Sequence, residues 1–236
     1  MFPDLQSESL GAQPWRPGGQ DLQPDRDDLE EGRMDSEPTV FVVDDDDTIR
    51  ASLRFLIESV GLRAQTFSSA QAFLENYDPA EPGCVVLDVR MPGMSGLELQ
   101  DELNAQGIEI PVIIVTAYGD IQMAVRAIKA GAVDFVEKPA GEQALLDQIQ
   151  KAIAKDSEIR ETRADQQVVT DRFERLTPRE REVMELVVDG LSSKEIAAQL
   201  GVSFKTVEAH RAKIMKKMEA RSVPHLIRLS LSLRRP

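Results

Sequence analysis

Cysteine, aromatic residues and long apolar runs are all scarce in this chain of 236 residues. The single cysteine, Cys84, cannot form an internal disulfide, which excludes a disulfide-stabilised secreted fold. No apolar run approaches the roughly 20 residues that span a bilayer, and the N-terminus lacks the basic-then-apolar order of a secretory signal. We therefore expect a soluble cytoplasmic protein that does not associate with a membrane.

Positive charge is also scarce, since the net charge is -13. Taken over the whole chain, this value argues against a nucleic-acid partner. However, residues 175–236 carry 13 basic and 7 acidic side chains, whereas every earlier segment is acidic. Such an asymmetry is expected when one end of a chain binds the phosphates of a nucleic acid.

The chain divides into a tail, two domains and a connector. Residues 1–37 mix Pro, Gly, Gln and acidic residues without apolar periodicity, so we expect a disordered acidic tail, with Met34 as a hypothetical internal start. Residues 38–155 and 175–236 each have enough apolar residues for a core. Residues 156–174 contain neither Pro nor Gly and either form a helical linker, which we predict, or solvated coil.

Short apolar runs alternate with helical periodicity in residues 38–155. The runs predict strands at 39–43, 63–66, 84–87, 111–115 and 133–136. In the first interval, one helical face carries Ile49, Leu53, Leu56, Ile57 and Val60. Because each parallel crossover needs a helix, this pattern predicts an α/β, doubly wound, five-stranded parallel sheet with its ligands at the carboxyl ends of the strands.

Polar side chains follow the ends of four of these strands. VFVVDDDD (residues 40–47) places Asp44 and Asp45 after the first strand, and CVVLDVRMPGMSG (residues 84–96) places Asp88 after the third. Three converging carboxylates are costly unless a hard cation neutralises them, and Mg²⁺ or Mn²⁺ suits such oxygen ligands. Thr116 and Lys138 follow the fourth and fifth strands.

Residues 39 to about 155 resemble the receiver domain of two-component response regulators, and the chain as a whole is similar to FixJ-type regulators. The resemblance implies that Asp88 accepts a phosphoryl group from a sensor histidine kinase. It implies that Asp45, Asp88 and the Arg90 carbonyl hold the metal, with Asp44 supporting it from outside the ligand shell. Thr116 and Lys138 would contact the phosphoryl oxygens, where charge builds during transfer.

Two aromatic residues are candidates for a conformational switch in such a domain. Phe135 either rotates inward when Thr116 moves toward the phosphoryl group or is an ordinary core aromatic. Tyr118 is a second candidate.

The segment LTPREREVMELVVDGLSSKEIAAQLGVSFKTVEAHRAKIMKKM (residues 176–218) resembles the LuxR-type helix-turn-helix. Thr177 and Glu180 form a capping box, Gly190 ends the first helix, and a short helix over residues 193–200 follows. After the turn at Gly201, Ser203 caps a long helix to about Met218, and residues 223–233 form the fourth helix of an all-α domain.

The long helix has two different faces. Val207, Ile214 and Met218 lie on one side, while the opposite side is basic with small alanines, which suits a helix in the major groove. We expect phosphate contacts from Lys205, Thr206, His210, Lys213 and Lys217, and base-edge contacts from Glu208, Ala209 and Ala212. The alternative is that the lysines form an ordinary solvated face. The short helix and turn that precede the long helix favour DNA binding over this alternative.

Three functions fit these features. In the favoured one, phosphorylation promotes homodimerisation or frees the helix-turn-helix domain, and so controls transcription at promoter DNA with RNA polymerase as a further partner. The receiver would then catalyse only its own phosphoryl transfer and dephosphorylation. A Mg²⁺-dependent phosphohydrolase would need a second acid/base aspartate two positions after Asp88, where Arg90 stands. In the third, the DNA domain acts constitutively and the receiver is a scaffold.

Overall fold

The computed structural model describes residues 37–117, 120–138 and 141–233. Its sheet contains β1 (Thr39–Val43), β2 (Arg63–Phe67), β3 (Gly83–Leu87), β4 (Val112–Thr116) and β5 (Asp134–Glu137). The strands are parallel and ordered β2-β1-β3-β4-β5, so the predicted doubly wound α/β domain is confirmed. Each predicted strand end lies within one residue of the observed end.

Five helices belong to the α/β part of the chain: α1 (Asp47–Ser59), α2 (Ala70–Asn76), α3 (Gly96–Ala105), α4 (Ile121–Lys129) and α5 (Glu142–Glu174). Polar side chains cap the first four of them at their N-termini. The predicted apolar face of the first helix is correct except at its end. The helix stops at Ser59, and Val60 is 47% exposed.

Alternation along the central strands builds two apolar layers. Phe41, Val85 and Ile114 face α2, α3 and α4, whereas Val42, Val86 and Ile113 face α1 and α5. A buried parallel strand needs apolar residues on both faces because helices cover both sides of the sheet. Cys84 lies in the second layer, where burial raises the pKa of its thiol to about 12, so it is the inert core residue that an apolar strand predicts.

The predicted linker is a continuous part of α5, a helix of 33 residues. Leu145 and Ile149 on this helix pack in the core of the α/β domain. Val169 and Phe173 pack instead with the C-terminal core. The same helix therefore contributes to both cores, and the coil alternative for residues 156–174 is wrong.

The C-terminal domain contains α6 (Pro178–Val188), α7 (Ser193–Leu200), α8 (Phe204–Lys217) and α9 (Val223–Ser232). The predicted capping box of Thr177 and Glu180 is present, and Gly201 ends α7 with a left-handed backbone at φ 65°. Val207, Ile214 and Met218 are buried together, which confirms the predicted inner face of the long helix.

In the described part of the chain, no helix is both long enough and apolar enough to cross a membrane. The predicted disordered tail, with Met34, lies outside the described residues apart from Glu37. Tyr118 lies outside them as well.

Candidate functional site

Lys138 joins two aspartates at the carboxyl edge of the sheet. Its ammonium group donates to Asp44 Oδ2 at 2.7 Å and to Asp88 Oδ1 at 3.0 Å. The side chains of Asp44 and Asp88 are only 4% and 10% exposed. The pairing of β1 with β3 brings the two carboxylates together, since Asp44 and Asp88 directly follow these neighbouring strands. With both aspartates charged, the two carboxylates and the ammonium carry one net negative charge, and little of their surface is exposed to solvent.

Asp88 is held in place on several sides. Its Oδ2 accepts a hydrogen bond from the Arg90 backbone N–H at 2.6 Å. A Cβ on Gly96 would lie 2.1 Å from the Asp88 carbonyl oxygen, so only glycine lets α3 begin this close to the aspartate. Burial raises the pKa of Asp88 and the nearby charge of Asp44 adds to this, although Lys138 and the Arg90 N–H act against it.

Lys138 remains a cation despite its partial burial. Burial alone would lower its pKa, but the hydrogen bonds to Asp44 and Asp88 outweigh that effect and raise the pKa above its usual value. Its backbone N–H donates to the Thr116 carbonyl at 2.8 Å, which ties the end of β5 to the end of β4. Thr116 is 1% exposed. Thr116 and Lys138 therefore meet at the same edge, as predicted.

The structure brings Asp44 and Asp88 together at Lys138, whereas Asp45 is exposed. Within the described residues, no three His, Cys, Asp or Glu side chains are grouped closely enough to hold a metal ion together. Asp45 is exposed, whereas its neighbour Asp44 is buried. Asp46 is used locally, as the N-cap of α1.

The sequence reasoning did not identify Arg50. Its guanidinium donates to the Asp44 carbonyl at 2.6 Å and pairs with the Asp47 carboxylate. The Asp46 backbone N–H in turn donates to Asp44 Oδ1 at 2.9 Å. These contacts hold the loop that carries Asp44 and Asp45. The Asp47–Arg50 spacing of three residues on a helix was the available signal.

The remaining residues of the predicted site lie around this cluster. Arg90 is exposed. Phe135 is half-buried and packs against the core layer of α2, α3 and α4. Its neighbour across the sheet is Ile114, two residues before Thr116.

A second candidate site is the outer face of α8. The exposed residues of this face include most of those predicted to contact DNA: Lys205, Thr206, Glu208, Ala209, Ala212 and Lys213. Ser203 caps the helix, and its hydroxyl lies 2.8 Å from that of Thr206. Basic side chains and small residues thus share one accessible helical surface.

Lys217 does not belong to that face, which corrects the prediction. Its ammonium group donates to Glu180 Oε2 at 2.6 Å and to the Arg175 carbonyl at 3.0 Å. The hydrogen bond from Lys217, together with one from the Thr177 N–H, lowers the pKa of Glu180 to about 2. A buried carboxylate on α6 attracts the ammonium inward, so Lys217 stabilises the domain.

The two histidines differ in their surroundings. His210 is half-buried, and its Nδ1 meets no hydrogen-bond partner among the residues that the structure describes. A phosphate contact from His210 would therefore have to come from Nε2. His225 Nδ1 accepts from the Arg221 N–H at 3.1 Å, so its role is structural.

Both halves of the chain match known protein families. Residues 40–150 match the family described as response regulator receiver domain. Residues 174–230 match the bacterial regulatory proteins of the luxR family. The first match covers most of the α/β domain, and the second covers α6 to α8 and most of α9.

Two curated proteins are similar to this chain over most of its length. The chain is 46% identical over 192 residues to the transcriptional regulatory protein FixJ of Azorhizobium caulinodans, covering 81% of this chain and 91% of that protein. It is 48% identical over 194 residues to nodulation protein W of Bradyrhizobium diazoefficiens, covering 82% and 86%.

Two solved structures are similar over most of their length. The response regulator StyR matches with a TM-score of 0.73 and 48% identity, covering 83% of this chain and 98% of that structure. Full-length FixJ from B. japonicum matches with a TM-score of 0.51 and 41% identity, covering 84% and 98%.

Proposed function

Since this chain belongs to the response regulators that join a receiver domain to a LuxR-type helix-turn-helix, we propose that phosphorylation of Asp88 by a sensor histidine kinase controls its binding to promoter DNA. The chain regulates transcription, and its helix-turn-helix binds DNA. The observation that carries the proposal for Asp88 is the pair of contacts from Lys138 to Asp44 and Asp88. We assign the receiver to residues 38–155 and the DNA-binding domain to residues 175–236. Contacts that α5 makes with the receiver beyond residue 155 extend the first domain.

Asp88 is the proposed nucleophile. One of its carboxylate oxygens attacks the phosphorus of a phosphohistidine, and the new O–P bond forms as the P–N bond breaks and the nitrogen leaves with its electron pair. The Arg90 N–H orients the carboxylate. Burial raises the pKa of Asp88, whereas Lys138 and the Arg90 N–H favour the charged form that acts as the nucleophile. In dephosphorylation, water attacks the phosphorus and the Asp88–phosphorus bond breaks, which releases inorganic phosphate and restores the carboxylate. The proposed reactions therefore concern the receiver's own phosphoryl group and no other substrate.

Lys138 and Thr116 are the proposed contacts of the phosphoryl oxygens. The Lys138 ammonium lies beside Asp88 and would offset the negative charge that the phosphoryl group brings. Thr116, tied to Lys138 through the backbone, would offer its hydroxyl from β4. The Lys138 ammonium is held in position before the phosphoryl group arrives, which is what electrostatic stabilisation requires.

The donor set fits Mg²⁺ or Mn²⁺. Asp44, Asp88 and Lys138 together leave one unbalanced negative charge, and exposed Asp45 adds another beside them. Mg²⁺ usually binds one or two carboxylates and keeps several waters, so a cluster of three protein carboxylates is not required. Asp45, Asp88 and the Arg90 carbonyl would hold the ion, with Asp44 supporting it from outside the ligand shell. When bound, the ion supplies positive charge to the transferring phosphoryl group.

We propose that Thr116 and Phe135 carry the signal to the surface. Movement of Thr116 toward the phosphoryl oxygens would leave space that Phe135, half-buried on the neighbouring strand, could fill. The affected surface consists of α4, β5 and α5, and α4 exposes Ile121, Val125 and Ile128 there. An exposed apolar stripe of this kind fits homodimerisation on phosphorylation. Release of the DNA-binding domain is the alternative output.

The DNA contacts are assigned to α8. Lys205, Thr206, Lys213 and Nε2 of His210 would position phosphates, and Glu208, Ala209 and Ala212 would face base edges. Because such a regulator binds promoter DNA and interacts with a kinase, we expect it to work in the cytoplasm, with RNA polymerase as a further partner.

The test is a DNA titration with purified full-length protein. A duplex carrying operator DNA is titrated with and without Mg²⁺ and beryllofluoride, a phosphoryl mimic, and the oligomeric state is measured by sedimentation. We expect tighter, dimeric binding with the mimic and no effect of the mimic in Asp88→Asn. Glu58→Gln, which changes an exposed carboxylate on α1, should behave like wild type. Identical wild-type curves with and without the mimic would reduce the receiver to a scaffold.

A further inference from the structure

We infer that Ser193 on α7 is a positioning residue that holds the Glu208 carboxylate of α8 in place to read the amino group of a cytosine. The inference rests on the proposed role of α8 in DNA binding and adds a specificity determinant to it. Ser193 itself was not among the residues predicted to contact DNA.

The observation behind this inference is a hydrogen bond between the two helices of the helix-turn-helix. The Ser193 hydroxyl donates to Glu208 Oε1. Ser193 is the first residue of α7, and Glu208 lies in the second turn of α8. The bond therefore joins the N-terminal parts of both helices, and this end of a recognition helix is the part that contacts base edges.

Both ends of the bond are anchored in the core of the domain. Val207, directly before Glu208, is fully buried. On α7, Ile196 and Ala197 are buried in the same core cluster as Val207. The backbones of Ser193 and Glu208 are thus fixed relative to each other, and the hydrogen bond restricts what freedom remains in the glutamate side chain.

Holding the glutamate before DNA arrives favours binding. A free, exposed Glu side chain loses conformational entropy when it is ordered. Ser193 causes part of that loss to occur in the unbound protein, which is preorganisation. A carboxylate has about four acceptor sites on its two oxygens. The bond to Ser193 occupies one of them and leaves others to face the groove.

Charge explains why this glutamate should affect specificity more than affinity. A carboxylate on the DNA-facing side is repelled by phosphates, whereas Lys205 and Lys213 on the same helix attract them. The favourable partner for a carboxylate in the major groove is a base amino group, and cytosine N4 is the common one. Ala209 and Ala212 beside it are exposed and small, so they let the helix approach the bases closely.

The experiment is selection of bound sequences from a random duplex pool, using full-length protein with Mg²⁺ and beryllofluoride. Wild type is compared with Ser193→Ala, Ser193→Thr and Glu208→Gln, and each variant's thermal unfolding is checked against wild type. We expect wild type to enrich cytosine at one position of each half-site. Ser193→Ala and Glu208→Gln should both lose about tenfold of that discrimination. Ser193→Thr, which keeps the hydroxyl, should retain it.

A double variant separates positioning from independent contacts. Ser193→Ala combined with Glu208→Gln should discriminate no worse than Glu208→Gln alone, since the serine acts through the glutamate. The inference is overturned if Ser193→Ala keeps the cytosine preference that Glu208→Gln loses. It is equally overturned if Ser193→Ala weakens binding to all sequences alike, which would make the serine a phosphate contact. A wild type that enriches no sequence overturns the proposed DNA reading by α8, and this inference with it.

Discussion

Asp156 on α5 accepts a hydrogen bond from the Gly83 backbone N–H at 2.9 Å, although 73 residues separate the two in the chain. The same carboxylate oxygen accepts from Arg160 Nε at 2.6 Å, and the Arg160 guanidinium donates to the carbonyls of Pro79, Ala80 and Glu81. A Cβ on Gly83 would lie 1.8 Å from the Thr39 carbonyl oxygen, so the position requires glycine. These bonds fasten α5 to the start of β3.

Removing this carboxylate should destabilise the receiver. Asp156→Ala leaves the Gly83 N–H and the Arg160 guanidinium without their acceptor in a site where Asp156 is 3% exposed, which costs about 1–3 kcal/mol. Scanning calorimetry of the full chain should show the receiver transition at a lower temperature and the DNA-binding transition unchanged. Asp147→Ala, at an exposed position on the same helix, is the control. Equal shifts in both variants would mean that the bonds contribute nothing.

Acid should weaken the DNA-binding domain through Glu180. Its pKa is about 2 in the folded chain and 4.5 ordinarily, so its pairing stabilises the domain above about pH 4.5 and is lost as the pH falls toward 2. The thermal midpoint of that domain should therefore drop more between pH 7 and pH 3 in wild type than in Glu180→Gln. Glu185→Gln, at an exposed position on the same helix, should keep the wild-type drop. Equal drops in all three proteins would contradict this assignment.

Two lysines on α8 should respond differently to removal. Lys213 is exposed, so Lys213→Ala should weaken binding to all DNA sequences alike and reduce the slope of log affinity against log salt by about 1. Lys217 faces Glu180, so Lys217→Ala should leave that slope unchanged and cost about 1–3 kcal/mol of stability. Salt-dependent DNA titrations and thermal unfolding of both variants provide the measurements. A reduced slope in Lys217→Ala would return this residue to the DNA-contacting face.

Mg²⁺ should stabilise the receiver through Asp45. An ion that binds only the folded state adds about 2.7 kcal/mol at 100 times its dissociation constant. We expect Mg²⁺ to raise the receiver transition of wild type in calorimetry, and Asp45→Asn to lose most of that rise. Glu58→Gln, which changes an exposed carboxylate on α1, serves as the control and should respond like wild type. A wild-type receiver indifferent to Mg²⁺ would rule out the proposed metal site.

Local patterns in the sequence predicted the elements of both domains well. The strands end within one residue of their predicted limits because apolar runs bounded by polar residues are a short-range signal. Thr177 with Glu180, and Ser203, start helices where expected, since a capping side chain bonds to a backbone N–H only a few residues away.

Other features depended on residues that lie far apart in the chain. Whether residues 156–174 form helix or coil was open, because their composition permits both. Apolar packing of Val169 in the C-terminal core and the bonds of Asp156 to the receiver accompany the helical form. Neither contact has a signature within the segment itself.

The sequence by itself determined which groups stand at the ends of the strands and which faces of α8 are apolar or basic, because spacing along a strand or helix sets the direction of each side chain. Only the tertiary structure decided that Lys138 contacts Asp44 across 94 residues, that Asp45 is exposed while Asp44 is buried, and that Lys217 turns inward to Glu180. The physical reason is that a charged side chain goes to the partner that compensates its burial, and packing between distant elements determines which partner is within reach.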